Sequence, residues 1–226
     1  MSICLSFLQA ASGEASFSLI RMVFKGGWLM IPLFLLSIAT IYLFAQKWWS
    51  FRKLNLATYD FVRQVRKLLK AGEMADAIIA CQNSNTPAAR MIEKGIDKAD
   101  RSAAEIQAAM ENVASMEVAR LEKSLPYLAT IAGGAPMIGF LGTVMGMIQA
   151  FFNMAQAGAN VDITLLSGGI YTAMITTVGG LIVGILAYFA YNFLTSKVSG
   201  VVNKMEAATI EFLDAVQAKK DAAITK

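Results

Sequence analysis

The sequence contains no histidine. A Ser-His-Asp triad, a histidine metal site and a histidine proton relay built from this chain alone are therefore excluded. Cysteine is nearly as scarce. The two thiols, Cys4 and Cys81, fall on opposite sides of a membrane by the topology derived below, so no intrachain disulfide is expected. No Cys-x-x-Cys metal or redox motif exists either, and neither a metal nor a cofactor is expected. The third shortage is charge. Only 16% of the 226 residues are Asp, Glu, Lys or Arg, against roughly a quarter in soluble domains. Between Leu125 and Thr195 the only formal charge is Asp162.

What fills the space is apolar. Hydrophobic residues make up 56% of the chain and the mean hydropathy is +0.53, which places it among integral membrane proteins. The segment Gly26 to Gln46 is charge-free and matches the ~20 residues that cross a ~30 Å hydrocarbon core. With the two apolar stretches either side of Asp162 this predicts three transmembrane helices, at 27–46, 125–153 and 168–195. The first ten residues lack a basic n-region and Ala10 to Gly13 is a poor cleavage site, so an unprocessed chain is expected.

Positive charge sets the expected orientation. Arg21 and Lys25 precede the first span, thirteen Lys and Arg lie between Lys47 and Lys123, none lies between Asn153 and Ser167, and five follow from Lys197 onward. The positive-inside rule puts 47–124 and 196–226 in the cytoplasm and the 154–167 loop in the periplasm. Residues 1–26 are then a periplasmic, interfacial segment, with Arg21 and Lys25 snorkelling from an amphipathic helix and Trp28, Trp48 and Trp49 as interfacial anchors. The basic run from Lys47 to Lys70 reads as the flank of a span rather than a nucleic-acid site. Arg52, Lys53, Arg63 and Arg66 could meet anionic headgroups or a partner's tail.

Outside the spans the pattern is helical. Leu56, Tyr59, Val62, Val65 and Leu69 form a stripe; Thr86 and Pro87 read as an N-cap and first helical residue; Ser102 and Glu105 form a capping-box pattern. Ile106, Met110, Val113, Ala114, Val118, Leu121 and Leu125 share a face. Pro126, Gly133, Gly134 and Pro136 are expected to bend rather than end this helix, predicting one helix from about Ala103 to about Ala155, on the order of 80 Å long. Val198, Val201, Val202, Met205, Thr209, Phe212 and Val216 continue a stripe after the third span. The fold class is all-α integral membrane, three spans with long cytoplasmic helical extensions.

The second span carries Ala135, Gly139, Gly142, Gly146 and Ala150 at steps of three and four beside Thr143. The third carries Gly169, Thr172, Thr176, Gly180, Gly184 and Ala187, with Thr177 adjacent. Gly139, Gly142, Gly146, Gly180 and Gly184 are expected at close helix-helix contacts. A threonine in a membrane helix often bonds back to its own backbone. Four at mid-membrane depth, Thr143, Thr172, Thr176 and Thr177, could instead line a surface that admits water or meets an ionisable group from another protein.

The stretch Leu121 to Met147, LEKSLPYLATIAGGAPMIGFLGTVMGM, resembles the second-span signature of the ExbB, TolQ and MotA family of proton-channel subunits, and Gly168 to Ile185, GGIYTAMITTVGGLIVGI, resembles its third span. Elsewhere the likeness is one of layout. The resemblance, nearest the ExbB branch, implies a homopentameric ring in the bacterial inner membrane. The ring would surround an ExbD-like single-span partner whose membrane Asp carries the proton, and would energise outer-membrane transport through a TonB-like protein. It places the family's pore threonines on Thr143 and Thr177. Thr172 stands where many members carry glutamate, which leaves the spans without an acid of their own. A TolQ-like role in envelope maintenance and a passive scaffold are the alternatives. An intramembrane protease is excluded by the absent histidine and the absence of Gly-x-Ser-x-Gly or paired aspartates in the spans.

Overall fold

The computed structural model describes residues 27–71, 74–84, 86–157 and 163–224. The interfacial segment with Arg21 and Lys25, Cys4, Asp162, and the side chains of Arg52, Lys53, Leu56, Tyr59, Val62, Arg63, Arg66 and Leu69 lie outside the described residues. Among the described residues all regular structure is helical: α1 (Met30–Ala71), α2 (Met74–Asn83), α3 (Pro87–Asp97), α4 (Ala103–Glu122), α5 (Leu125–Ala157) and α6 (Ile163–Ile224). Three of them, α1, α5 and α6, hold stretches long and apolar enough to cross a membrane, beginning at Met30, Leu125 and Leu166.

The helix starts follow local chemistry. Gly27, at φ 72°, supplies a left-handed turn that a side chain would strain, and its carbonyl accepts from the Met30 amide at 3.2 Å. The Thr86 hydroxyl accepts from the Ala89 amide at 3.3 Å with Pro87 in the first turn. The Ser102 hydroxyl accepts from the Glu105 amide at 3.3 Å and donates to the Glu105 carboxylate at 3.0 Å. Each side chain satisfies an amide that the helix leaves without a partner.

The predicted helix from Ala103 to Ala155 is two helices. α4 ends at Glu122 and α5 starts at Leu125. The cause is Pro126, which has no amide hydrogen for the Glu122 carbonyl and whose ring crowds that same oxygen. Pro136 lies inside α5 without ending it, because its neighbours are packed, as shown below. The predicted 154–167 loop is also shorter: α5 continues to Ala157 and α6 begins at Ile163. Nor does α1 end where the apolar segment ends, at Gln46; it continues through the basic run to Ala71.

The chain divides into two compact units, residues up to Thr40 with Thr130–Ala187, and Ile41–Ala129 with Tyr188–Lys226. In the first, Ala135, Ala150 and Ala173 are buried, as are Leu33, Ile131 and Ile175, while Phe34, Met137, Phe140, Ile148 and Ile182 are at least half exposed. Small residues at the contact between helices and large apolar ones on the outer surface suit a hydrocarbon surround.

The second unit has an ordinary core. Phe212, Ile106, Met110, Met91, Met205 and Val65 are buried together, and Phe51, Leu125, Leu128, Leu194 and Val198 form a second cluster. Six residues of the stripe on α6 are buried or packed here, from Val198 to Val216. One acid sits on the apolar face of α4. Glu117, with 8% of its side chain exposed, accepts from Arg90 at 2.8 Å and from Arg120 at 2.6 Å, and the two guanidinium groups offset the cost of burying its charge. Lys47 donates to the Leu121 carbonyl at 2.8 Å, one residue before α4 ends.

Candidate functional site

The site is the α5–α6 pair inside the first unit. The helices run antiparallel with backbones close together, and glycine makes this possible. A Cβ on Gly139 would lie 3.0 Å from the Thr176 carbonyl oxygen and 3.1 Å from the Thr177 Cα; one on Gly180 would lie 2.6 Å from the Ala135 carbonyl oxygen. Gly146 faces Ala173, with 2.8 Å to its Cβ, and Gly169 faces Ala150 at 2.7 Å. Gly184 lies against the ring of Pro136, where a Cβ would be 2.5 Å from Cγ. The glycine removes the obstacle and the proline ring fills the space, so α5 stays helical through Pro136. By contrast Gly133 and Gly134 have nothing within 4 Å.

The four threonines have three different surroundings. Thr176 is 2% exposed and fills the space beside Gly142, whose Cβ would fall 2.4 Å from the Thr176 Oγ1; its hydroxyl donates to the Ala173 carbonyl at 2.7 Å. Thr177, half-buried, donates across the pair to the Gly139 carbonyl at 2.9 Å. Thr143, also half-buried, donates to the Phe140 carbonyl of its own helix at 2.6 Å. Thr172 accompanies Gly179, two turns along the same face of α6. That face looks toward the start of α1: the Met30 side chain comes within 3.2 Å of a Cβ on Gly179, and the Thr172 Cγ2 is the atom nearest one on Gly27, at 3.9 Å.

Helical spacing then separates them. Thr143 and Thr177 each lie one residue past a close contact, Gly142 and Thr176, and in an antiparallel pair that step turns both to the same side. The structure thus brings Thr143 and Thr177 onto one side of the pair, buries Thr176 between the helices and sets Thr172 on the α1 side. Helical spacing from sequence grouped all four, because nothing in a single helix tells which neighbour occupies which flank. Two features were missed altogether. Glu117 falls four residues after Val113 on the stripe, a position where an acid demands a partner. Lys47 carried no signal beyond its place after an apolar segment. Among the described residues no cluster of three or more His, Cys, Asp or Glu could hold a metal.

These features define an all-helical, multi-span membrane protein whose central helix pair is lined by glycine and threonine and carries no Asp, Glu, Lys or Arg among its described residues from Leu125 to Thr195. The model of the MotA/TolQ/ExbB proton channel family matches residues 83–207, more than half of the chain, and the chain belongs to that family. Among its relatives, the putative biopolymer transport protein ExbB homolog of Methanothermobacter thermautotrophicus is 29% identical over 156 residues, covering 69% of this chain and 55% of the relative. The putative biopolymer transport protein ExbB-like 1 of Synechocystis sp. is 32% identical over 179 residues, 76% of this chain and 68% of the relative. The Tol-Pal system protein TolQ of Haemophilus influenzae is 39% identical over 94 residues, 41% of this chain and 40% of the relative. The match therefore spans about half the length of the Methanothermobacter protein and less of the TolQ protein.

Proposed function

We propose that this chain is the ring-forming subunit of a proton-driven transducer in a bacterial inner membrane, working with an ExbD-like single-span partner that carries a membrane Asp and energising TonB-dependent outer-membrane transport. Residues 1–26 and the segment 154–167 are periplasmic, and 47–124 and 196–226 are cytoplasmic helical extensions. The observation that carries the reading is a helix pair with Thr143 and Thr177 on one side and no Asp, Glu, Lys or Arg along its apolar stretches, Leu125–Ala157 and 163–195. A carboxylate at mid-membrane costs at least ~2.5 kcal/mol to insert, and a ring of such pairs shields one supplied by a partner while offering hydroxyls and room for water. The subunit does no covalent chemistry. It holds a wall against which a proton-carrying group is loaded, discharged and displaced.

A TolQ-like role in envelope maintenance is the alternative, since ExbB-named relatives and a TolQ relative both match this chain, and a neighbouring reading frame for a TonB-like protein rather than for Tol-Pal components separates the two. Contact with an added acid-bearing helix distinguishes this function from a passive scaffold. Co-purification with the partner and imaging along the membrane normal tests the assembly. Five copies around a small helical core, with the Thr143 and Thr177 side inward, is the expected view. A closed assembly without a core, or with those threonines facing lipid, overturns it.

A further inference from the structure

From Ala135 to Gly146 on α5 and from Ala173 to Gly184 on α6, the side chains bearing a hydroxyl or N–H are Thr143, Thr176 and Thr177. All three protons are already engaged. Thr143 donates to the Phe140 carbonyl at 2.6 Å, Thr176 to the Ala173 carbonyl at 2.7 Å and Thr177 to the Gly139 carbonyl at 2.9 Å. The backbone amides along both stretches are taken up inside continuous helices. A hydroxyl has one proton and two lone pairs, so what remains to be offered on the Thr143 and Thr177 side is acceptor capacity alone.

The Thr143 and Thr177 bonds are held for different reasons. The Thr177 bond crosses between helices at their closest approach, where Gly139 leaves 3.1 Å between a Cβ position and the Thr177 Cα, so swinging its hydroxyl away gives up a contact that ties the pair. The Thr143 bond closes on the preceding turn of its own helix. No Lys, Arg or His occurs from Thr130 to Ala187, so no cation on this stretch compensates a negative charge brought to the wall.

We infer that this wall selects the protonated state of the carboxyl it faces: the Thr143 and Thr177 lone pairs accept a hydrogen bond from the neutral acid, and nothing on the wall donates to the carboxylate without surrendering a backbone bond. The inference rests on the proposed function, in which a partner's acid faces Thr143 and Thr177, and specifies which form of that acid the subunit binds. An acid loaded with a proton is retained against the wall, and one that has lost it is driven toward water. That preference gives the direction of each displacement without any charged group along this wall.

The sign of a mutational shift tests it. Full-length chain is co-assembled with its acid-bearing partner in lipid nanodiscs, and the partner's membrane carboxyl is labelled with a hydrophobic carbodiimide, which reacts with the protonated form, across a pH series read by mass spectrometry. Replacing an acceptor by valine removes a bond made only to the neutral acid. Thr177→Val and Thr143→Val should therefore each lower the midpoint pH of labelling, by about two- to tenfold in proton affinity, the worth of one hydrogen bond. Because Thr177→Val also removes an interhelical bond, Thr143→Val, whose bond lies within one helix, provides the reading least dependent on assembly. A raised midpoint in Thr143→Val shows a hydroxyl that donates to the carboxylate and overturns the inference while leaving the threonines in the pathway. An unmoved midpoint in both variants removes them from the pathway and overturns the proposed function with it.

Discussion

The glycines of the α5–α6 pair are not equivalent, and their contacts rank them. At Gly142 a methyl group would fall 2.4 Å from the Thr176 Oγ1 and 2.7 Å from its Cβ, and Thr176 has no freedom to yield because its hydroxyl is tied to the Ala173 carbonyl. Gly142→Ala should destabilise the protein by about 1–3 kcal/mol through overpacking, seen as a lower melting temperature in detergent, and Thr176→Ala in the same chain should restore part of the loss. Gly134→Ala, in open space, should be neutral or stabilising by up to about 1 kcal/mol. The spacing alone marked Gly142 as a contact position, but not that its neighbour is the threonine side chain. Glu117 makes a second case. Its carboxylate is buried while Arg90 and Arg120 remain 41% and 63% exposed, so Glu117→Gln should cost about 1–2 kcal/mol, less than a fully buried pair would, in the same melting assay. Cys81 completes the residue scale. Burial, with the Glu93 charge adding to it, pushes its thiol up to about 12, so maleimide labelling at pH 8 should run about three orders of magnitude slower than for a free thiol. Labelling at the ordinary rate would show that α2 opens readily.

At the scale of elements, helices were legible in the sequence where a cap announces a start and less so where one stops. Thr86 with Pro87 and Ser102 with Glu105 announce the starts of α3 and α4, and both act as caps. The stop at Glu122 was misjudged because two prolines ten residues apart, Pro126 and Pro136, look alike in sequence and behave differently in the fold. Pro136 sits inside a tight helix pair, held by Gly184 and its neighbours. Pro126 interrupts the chain between α4 and α5, where Lys47 takes the Leu121 carbonyl at 2.8 Å and Leu125 and Leu128 are buried against Phe51 and Leu194. Pro126→Ala returns an amide hydrogen to the Glu122 carbonyl and removes the clash with it. It should let helix run through Lys123 and Ser124, read as slower hydrogen exchange of the amides from Lys123 to Leu125. Unchanged exchange there would assign the break to Lys47 and the packing of Leu125 instead.

The whole molecule is best understood through what its spans omit. Class, number of spans and family were legible because they depend on composition and on motifs with fixed spacing, which a helix preserves. The grouping of the threonines was not, because it depends on which helix packs on which flank. Two of them, Thr143 and Thr177, share a side; Thr176 became packing, and Thr172 turned toward α1. On the proposed function the subunit is a wall and the proton belongs to a partner. Proton flux into liposomes under an imposed gradient tests this most directly, comparing the chain alone, the chain with its ExbD-like partner, and the chain with that partner's membrane aspartate changed to asparagine. Flux only in the second preparation is predicted. Flux through the chain alone, or undiminished flux with the asparagine partner, would contradict the claim that this subunit carries no proton site of its own.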